Sequence, residues 1–201
     1  MGKVEESVAL LLGPPGSGKG ARGEEVLRQA RGMDIPLTLD VMSDLLRNGV
    51  PGVDQNWHEE HVLSFMRRAE LVPTDTVLKL VRTRLDQVSG FYLLDGFPRE
   101  IGQAEKVVEW SRDLARQSKP CRILVLNTPT DVCRTRILGP DGRRREDDTP
   151  ENVERRMRDW FNLTMPGVEH LVCSGLDVSF IPPGANPTEG AGIILHHLLR
   201  D

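Results

Sequence analysis

The residues that most clearly imply chemistry are Gly13-Pro14-Pro15-Gly16-Ser17-Gly18-Lys19, which carry G-x-x-x-x-G-K spacing. Glycines at these points let a backbone curl so that successive N–H groups face inward onto an anion. The start of a following helix adds a favourable dipole, and Lys19 adds a mobile positive charge for β and γ phosphates. The apolar run from Val8 to Leu12 precedes the loop and a helical pattern follows it, the setting in which such a loop grips a nucleotide. Gly20 stands where a Ser or Thr hydroxyl would meet Mg²⁺ in the general motif. No nucleophile and base pair stands out beside this loop, because His58, His61, His170, His196 and His197 have no nucleophilic partners in the sequence pattern. They read as structural or exposed.

Positioning such a loop requires a strand and a helix, and the chain supplies an alternation of both. Continuous apolar runs at Val8 to Leu12, Leu37 to Leu39, Phe91 to Leu94, Ile123 to Leu126 and Val178 to Ile181 predict strands of a parallel sheet buried on both faces. Between them, Leu78, Val81, Leu85 and Val88, and then Val153, Met157 and Phe161, repeat at helical spacing. The pattern predicts an α/β fold with helices layered on the sheet. Two segments interrupt it as insertions, residues 40–72 and residues 138–148. The first holds the turn-rich run Asn48 to Gly52 and then a helical stretch from Trp57 to Arg68; the second is dense in charge. Near the end, Pro182-Pro183-Gly184 reads as a loop before a last helix capped by Thr188.

With 201 residues the chain fits one domain with small insertions. Its 26 basic and 30 acidic side chains give a net charge of −4, which argues against a surface that grips nucleic acid. No apolar run approaches the roughly 20 residues of a membrane span. Cys121, Cys133 and Cys173 are odd in number and widely spaced, as in a reducing compartment, so the expected location is the cytoplasm.

The loop's Gly-x-Pro-Gly opening and Gly-Lys-Gly close resemble the adenylate kinase family and its nucleoside monophosphate kinase relatives, and a second block, Leu94-Asp95-Gly96-Phe97-Pro98-Arg99, resembles that family's most distinctive signature. Further matches are Asp44-Leu45-Leu46-Arg47, Leu71-Val72-Pro73, Gln103 and Arg145-Glu146-Asp147-Asp148, so the resemblance spans nearly the whole chain. It implies a P-loop NTPase fold, three-layer α/β/α on a central five-stranded parallel sheet. The first insertion would close over a monophosphate, and the second would form a short lid over ATP. The implied function is reversible transfer of the ATP γ-phosphoryl group to AMP, giving two ADP, by a monomer whose partners are small nucleotides. Mg²⁺ would arrive as MgATP and Asp95 would orient it through water. The lid has no zinc-binding cysteines, so no structural zinc is expected.

By the same resemblance ATP would lie on Gly16, Ser17, Gly18, Lys19, Gly20 and Ala21, with Arg136 packed on its adenine and Gly184 beside it. The acceptor would meet Met42, Arg47, Glu70, Leu71, Val72, Gly96, Phe97, Pro98 and Arg99, and Gln103 would read the edge of its base. Arg47 and Arg99 would fork onto its phosphate, and Arg145 and Arg156 would reach the transferring group; with Lys19, Arg99 and Asp95 they form the expected catalytic set. Asp147 and Asp148 would fix the lid's arginines or cap the helix that begins near Pro150. Four departures from the family pattern bear on rate and acceptor choice. Ala21 replaces a threonine, Met42-Ser43 replaces Thr-Gly, Ala69 replaces a glycine, and Pro140 replaces a lid arginine near Arg143 and Arg144. Two alternatives therefore stay open, a UMP/CMP-type kinase and a catalytically weak nucleotide-binding regulatory module.

Overall fold

The computed structural model describes residues 6–68, 72–140, 148–184 and 186–200. In chain order the elements begin with β1 (Val8–Leu12), α1 (Lys19–Gly32), β2 (Leu37–Val41), α2 (Met42–Asn48), α3 (Gln55–His58) and α4 (Ser64–Arg67). They continue with α5 (Thr74–Leu85), β3 (Phe91–Asp95), α6 (Ile101–Arg116), β4 (Cys121–Leu126) and α7 (Thr130–Leu138). The last are α8 (Pro150–Asp159), α9 (Met165–Cys173), β5 (Asp177–Ile181) and α10 (Pro187–Leu199). A π-helical turn, Glu59–Leu63, joins α3 to α4, and another, Trp160–Thr164, joins α8 to α9.

All five strands run parallel in the order β2-β3-β1-β4-β5. The alternation of side chains along each strand splits the core between two faces. Val8, Leu10 and Leu12 point to the face covered by α5, α6 and α9, where Leu80, Val81, Ala104, Val107 and Leu171 are buried. Ala9 and Leu11 point to the other, where Val26 and Ala30 of α1 meet Ile194, Leu195 and Leu198 of α10. Burial of whole strands, expected for all five, holds for β1 and β3 and nearly for β4, but β2 and β5 are the edges and are only partly covered.

Three boundaries differ from the sequence reading. β2 runs through Val41, with Asp40 opposite Leu94, two residues beyond the apolar run Leu37 to Leu39. The edge carboxylate is held there by Arg84 Nε at 2.6 Å and by the buried Tyr92 hydroxyl at 3.0 Å. The last helix is capped by Asn186, whose side chain accepts the Glu189 N–H at 2.9 Å, and not by Thr188. Pro187 takes the first helical position, where its fixed φ suits the helix and no N–H is needed, which places Thr188 inside the first turn. Likewise Thr149, not Asp148, caps α8 through the Asn152 N–H.

Candidate active site

The chain returns from β2 to β3 on one side of β1 and crosses to β4 on the other, so the carboxyl end of β1 is a topological switch point, where open α/β sheets bind ligands. The loop from Gly13 to Gly18 leaves the sheet there. Gly16 and Gly18 take φ of 79° and 87°, left-handed values that L side chains resist. A Cβ on Gly16 would stand 2.4 Å from the Cys133 carbonyl oxygen, so this loop fits only as glycine against α7. Lys19 opens α1 and turns back across the loop, its Nζ donating to the Gly13 carbonyl oxygen at 2.7 Å and to that of Pro14 at 3.2 Å. The lysine charge is thereby held over the cradle that the glycines form. Ala21 is exposed on the first turn of α1.

Asp95 ends β3 opposite Leu11 of β1 and is buried beside the start of the phosphate loop. Gly96 follows with φ of 90°, and its N–H donates to the Leu11 carbonyl oxygen at 3.0 Å, which stitches the two loops together. Phe97 is buried and stacks on Trp110, and the Phe97–Pro98 peptide is cis. Arg99 emerges exposed, with Nε donating to the Gly96 carbonyl oxygen at 2.8 Å. Its backbone is set from two sides: the Arg99 N–H donates to Gln103 Oε1 at 2.9 Å, and Thr164 donates to the Arg99 carbonyl oxygen at 2.9 Å.

The phosphate loop and the segment from Asp95 to Arg99 thus lie side by side at the ends of adjacent parallel strands. A family model described as adenylate kinase matches residues 11–175. The chain belongs to the adenylate kinase family. The adenylate kinase of Trichodesmium erythraeum is 30% identical over 185 residues, covering 90% of this chain and 91% of the relative. That of Dehalococcoides mccartyi is 32% identical, with 83% and 86% covered, and that of Synechococcus sp. strain RCC307 is 35% identical, with 80% and 82% covered.

Several of the residues expected at the site have defined partners or packing in the structure of this adenylate kinase family member. Arg136 Nη1 donates to the Ser17 carbonyl oxygen at 3.3 Å. Arg156, half-buried, is held by Asp148, whose side chain is 4% exposed, and by the Asn152 carbonyl oxygen. Arg47 is exposed and bonds Asp44 one helical turn away at 3.2 Å. Met42 is buried in the core close to Gly96, so its side chain packs inside rather than lining the surface. Val72 packs partly buried against the same core. Gln103, expected to read a base edge, is also buried, and its Oε1 accepts the Arg99 N–H. Gly184 has φ of 66°, and a Cβ there would approach the Gly190 nitrogen to 3.1 Å. Glu70, Leu71, Ala69, Arg143, Arg144, Arg145, Glu146 and Asp147 lie outside the described residues.

Two residues that the sequence reading passed over sit directly beneath the phosphate loop. Thr128, in the segment between β4 and α7, is buried with its hydroxyl 3.4 Å from the Ser17 carbonyl oxygen. Arg22 is buried and donates to the same oxygen at 2.8 Å. A signal for Arg22 was present: it falls in one i, i+4 series with Val26 and Ala30, the buried stripe of α1. Trp57 also finds its surroundings here. It stacks on His61 at 5.0 Å between ring centroids, takes Lys79 Nζ over its face at 3.7 Å, and packs against the core.

Proposed function

We propose that this chain is an adenylate kinase that transfers the γ-phosphoryl group of MgATP to AMP, reversibly, giving two ADP. The observation that carries this reading is the pairing of the phosphate loop with the segment from Asp95 to Arg99 across adjacent strand ends, within a chain of the adenylate kinase family. An oxygen of the acceptor phosphate forms a bond to the γ phosphorus as the bond to the ADP oxygen breaks. That acceptor oxygen is already ionised, so the protein needs no general base. What it must supply is alignment of two polyanions and positive charge around the group in flight.

In this reading the loop N–H groups and Lys19 hold the donor phosphates, Arg47 and Arg99 hold the acceptor phosphate, and Arg156 and Arg145 reach the transferring group. The Asp148 contact to Arg156 would then keep that arginine parked near the site. Mg²⁺ would enter on the nucleotide and supply charge neutralisation between the β and γ phosphates. The donor set suits this: Asp95 offers one buried carboxylate beside the loop, and Gly20 offers no hydroxyl ligand, so Asp95 would act through water. The segments after β2 and after α7 would close over acceptor and donor respectively and exclude water, which would otherwise take the phosphoryl group.

A monomer acting on free nucleotides in the cytoplasm is consistent with the net charge of −4 and with three free cysteines. No helix among the described residues is long and apolar enough to cross a membrane. Steady-state assays with MgATP and a panel of AMP, dAMP, GMP, CMP and UMP test the acceptor. AMP is expected to give the highest kcat/KM, and a preference for a pyrimidine monophosphate would overturn the reading.

A further inference from the structure

Arg22 has no part in the roles assigned above, and its surroundings are unusual for a cation. It is 3% exposed, its Nε is buried with no hydrogen-bond partner, and among the described residues no carboxylate pairs with it. Its two terminal nitrogens go to backbone carbonyls far apart in sequence. Nη1 donates to the Ser17 oxygen at 2.8 Å, and Nη2 donates to the Pro183 oxygen. The adjoining helix α10 makes room for it with a glycine: a Cβ on Gly190 would stand 2.4 Å from Nε and 3.0 Å from Cδ. Burial, and next the charge of Arg136, push the guanidinium's pKa down, as expected of a cation taken from water without a counter-ion. A polyphosphate lying in the adjacent cradle would supply the missing negative charge.

We propose that Arg22 is a positioning residue of the ATP site, which fixes the Ser17–Gly18 peptide with its N–H turned to the phosphates and ties that loop to the segment after β5. A trans peptide sets its C=O and N–H antiparallel. Three donors, Arg22 Nη1, Arg136 Nη1 at 3.3 Å and Thr128 Oγ1 at 3.4 Å, converge on the Ser17 oxygen, and two of them, Arg22 and Thr128, reach it from the buried side. The Gly18 N–H therefore faces the open side, where the donor nucleotide binds. The second arm of the fork reaches Pro183, next to Gly184, so one rigid planar group spans the two segments that flank ATP in the reading above. Neither lysine, a point charge, nor glutamine, with one donor group, can span both.

The inference rests on the assignment of this loop to MgATP, so calorimetric titration of the wild-type chain with MgATP comes first. A wild-type chain that does not bind MgATP overturns that assignment and this inference together. One that binds MgATP without phosphorylating AMP overturns the kinase reading alone, and Arg22 is then judged on Kd. Arg22→Gln and Arg22→Lys are each expected to raise the Kd and KM for MgATP about tenfold, the loss of one charge-assisted hydrogen bond. The KM for AMP should move by less than about twofold, because the lost contact is made to one substrate only. A Kd within twofold of wild type in both folded variants, or equal rises in both KM values, overturns the proposal. Should these variants not fold, Gly190→Ala displaces the guanidinium while keeping it, with the same ATP-selective rise expected and an unchanged Kd overturning the proposal. In the Arg22→Gln background, Gly190→Ala should add nothing further to Kd, whereas additive effects would show that the two residues are not coupled.

Discussion

In the phosphate loop Ser17 is buried, as are Arg22 and Thr128 beneath it, and the backbone itself forms the concavity. On the acceptor side, Arg47 has a side chain 56% exposed and paired with an equally exposed Asp44. One half of the site is thus assembled by the packing of α1, α7 and α10 against the sheet, before any ligand arrives. The other depends on long side chains that a ligand must order. Ordering them draws on binding energy, since each immobilised arginine loses up to about 2 kcal/mol of rotamer freedom. In the proposed reading, charge at the donor end is placed largely by folding, and the charge of Arg47 at the acceptor end by binding.

The largest effect should come at Lys19, whose charge is held over the cradle of the built half. Lys19→Met should lower kcat by on the order of 10³-fold, with far-UV circular dichroism and cooperative unfolding like wild type. Turnover like that of wild type in this variant would break both the mechanism and the contrast between the halves. Next comes Gly18→Ala, which places a Cβ 2.3 Å from Arg22 Nη1 at a φ of 87°. Strain of about 1–3 kcal/mol at such a position corresponds to roughly 5- to 150-fold weaker MgATP binding, read by calorimetry, with the KM for AMP little changed.

Legibility of the sequence followed the same division. β1, β3 and β4 could be read because burial on both faces writes continuous apolar runs, and the phosphate loop because glycine spacing is a backbone requirement that survives in one dimension. The packing of the residues expected on the acceptor side was less legible. Met42 is a core residue whose burial depends on α2 folding under Gly96, and Gln103 has its oxygen taken by the Arg99 backbone, neither of which spacing encodes. Asn186 beat Thr188 as the last cap because Pro187 fixes where that helix begins. Arg22 is hard to read from sequence because its acceptor at Pro183 lies far away along the chain, although the periodicity of α1 marks its face as buried. The π-helical turns at Glu59–Leu63 and Trp160–Thr164 left no pattern distinct from an ordinary helix.

Arg47→Ala sharpens the contrast from the other end. It should raise the KM for AMP about tenfold, the value of one lost charge-assisted contact, and leave the Kd for MgATP within about twofold. Asp44→Asn in the same helix should change stability by less than about 1 kcal/mol, because the Arg47 pair stands in water where screening removes most of its strength. An Arg47→Ala chain whose affinity for MgATP fell in parallel would mean that the two halves are not built independently.

The smallest effect lies outside both halves and calibrates them. His197 of α10 has its pKa lowered, first by burial and then by the nearby Arg200 and His196 charges, with Asp177 opposing and Arg122 adding to the shift. Its Nδ1 is buried without a partner. With a folded pKa below the ordinary value near 6.5, the unfolded chain takes up the proton more readily. The stability held above that value is then lost as pH falls through it toward the folded pKa. Urea unfolding at pH 8 and pH 5.5 should therefore show a loss on acidification that is reduced in His197→Asn. Because α10 also carries Gly190, which makes room for Arg22, early loosening of this helix in acid should weaken MgATP binding before it weakens AMP binding. Equal loss of both affinities on acidification would mean that the donor half gains nothing from α10.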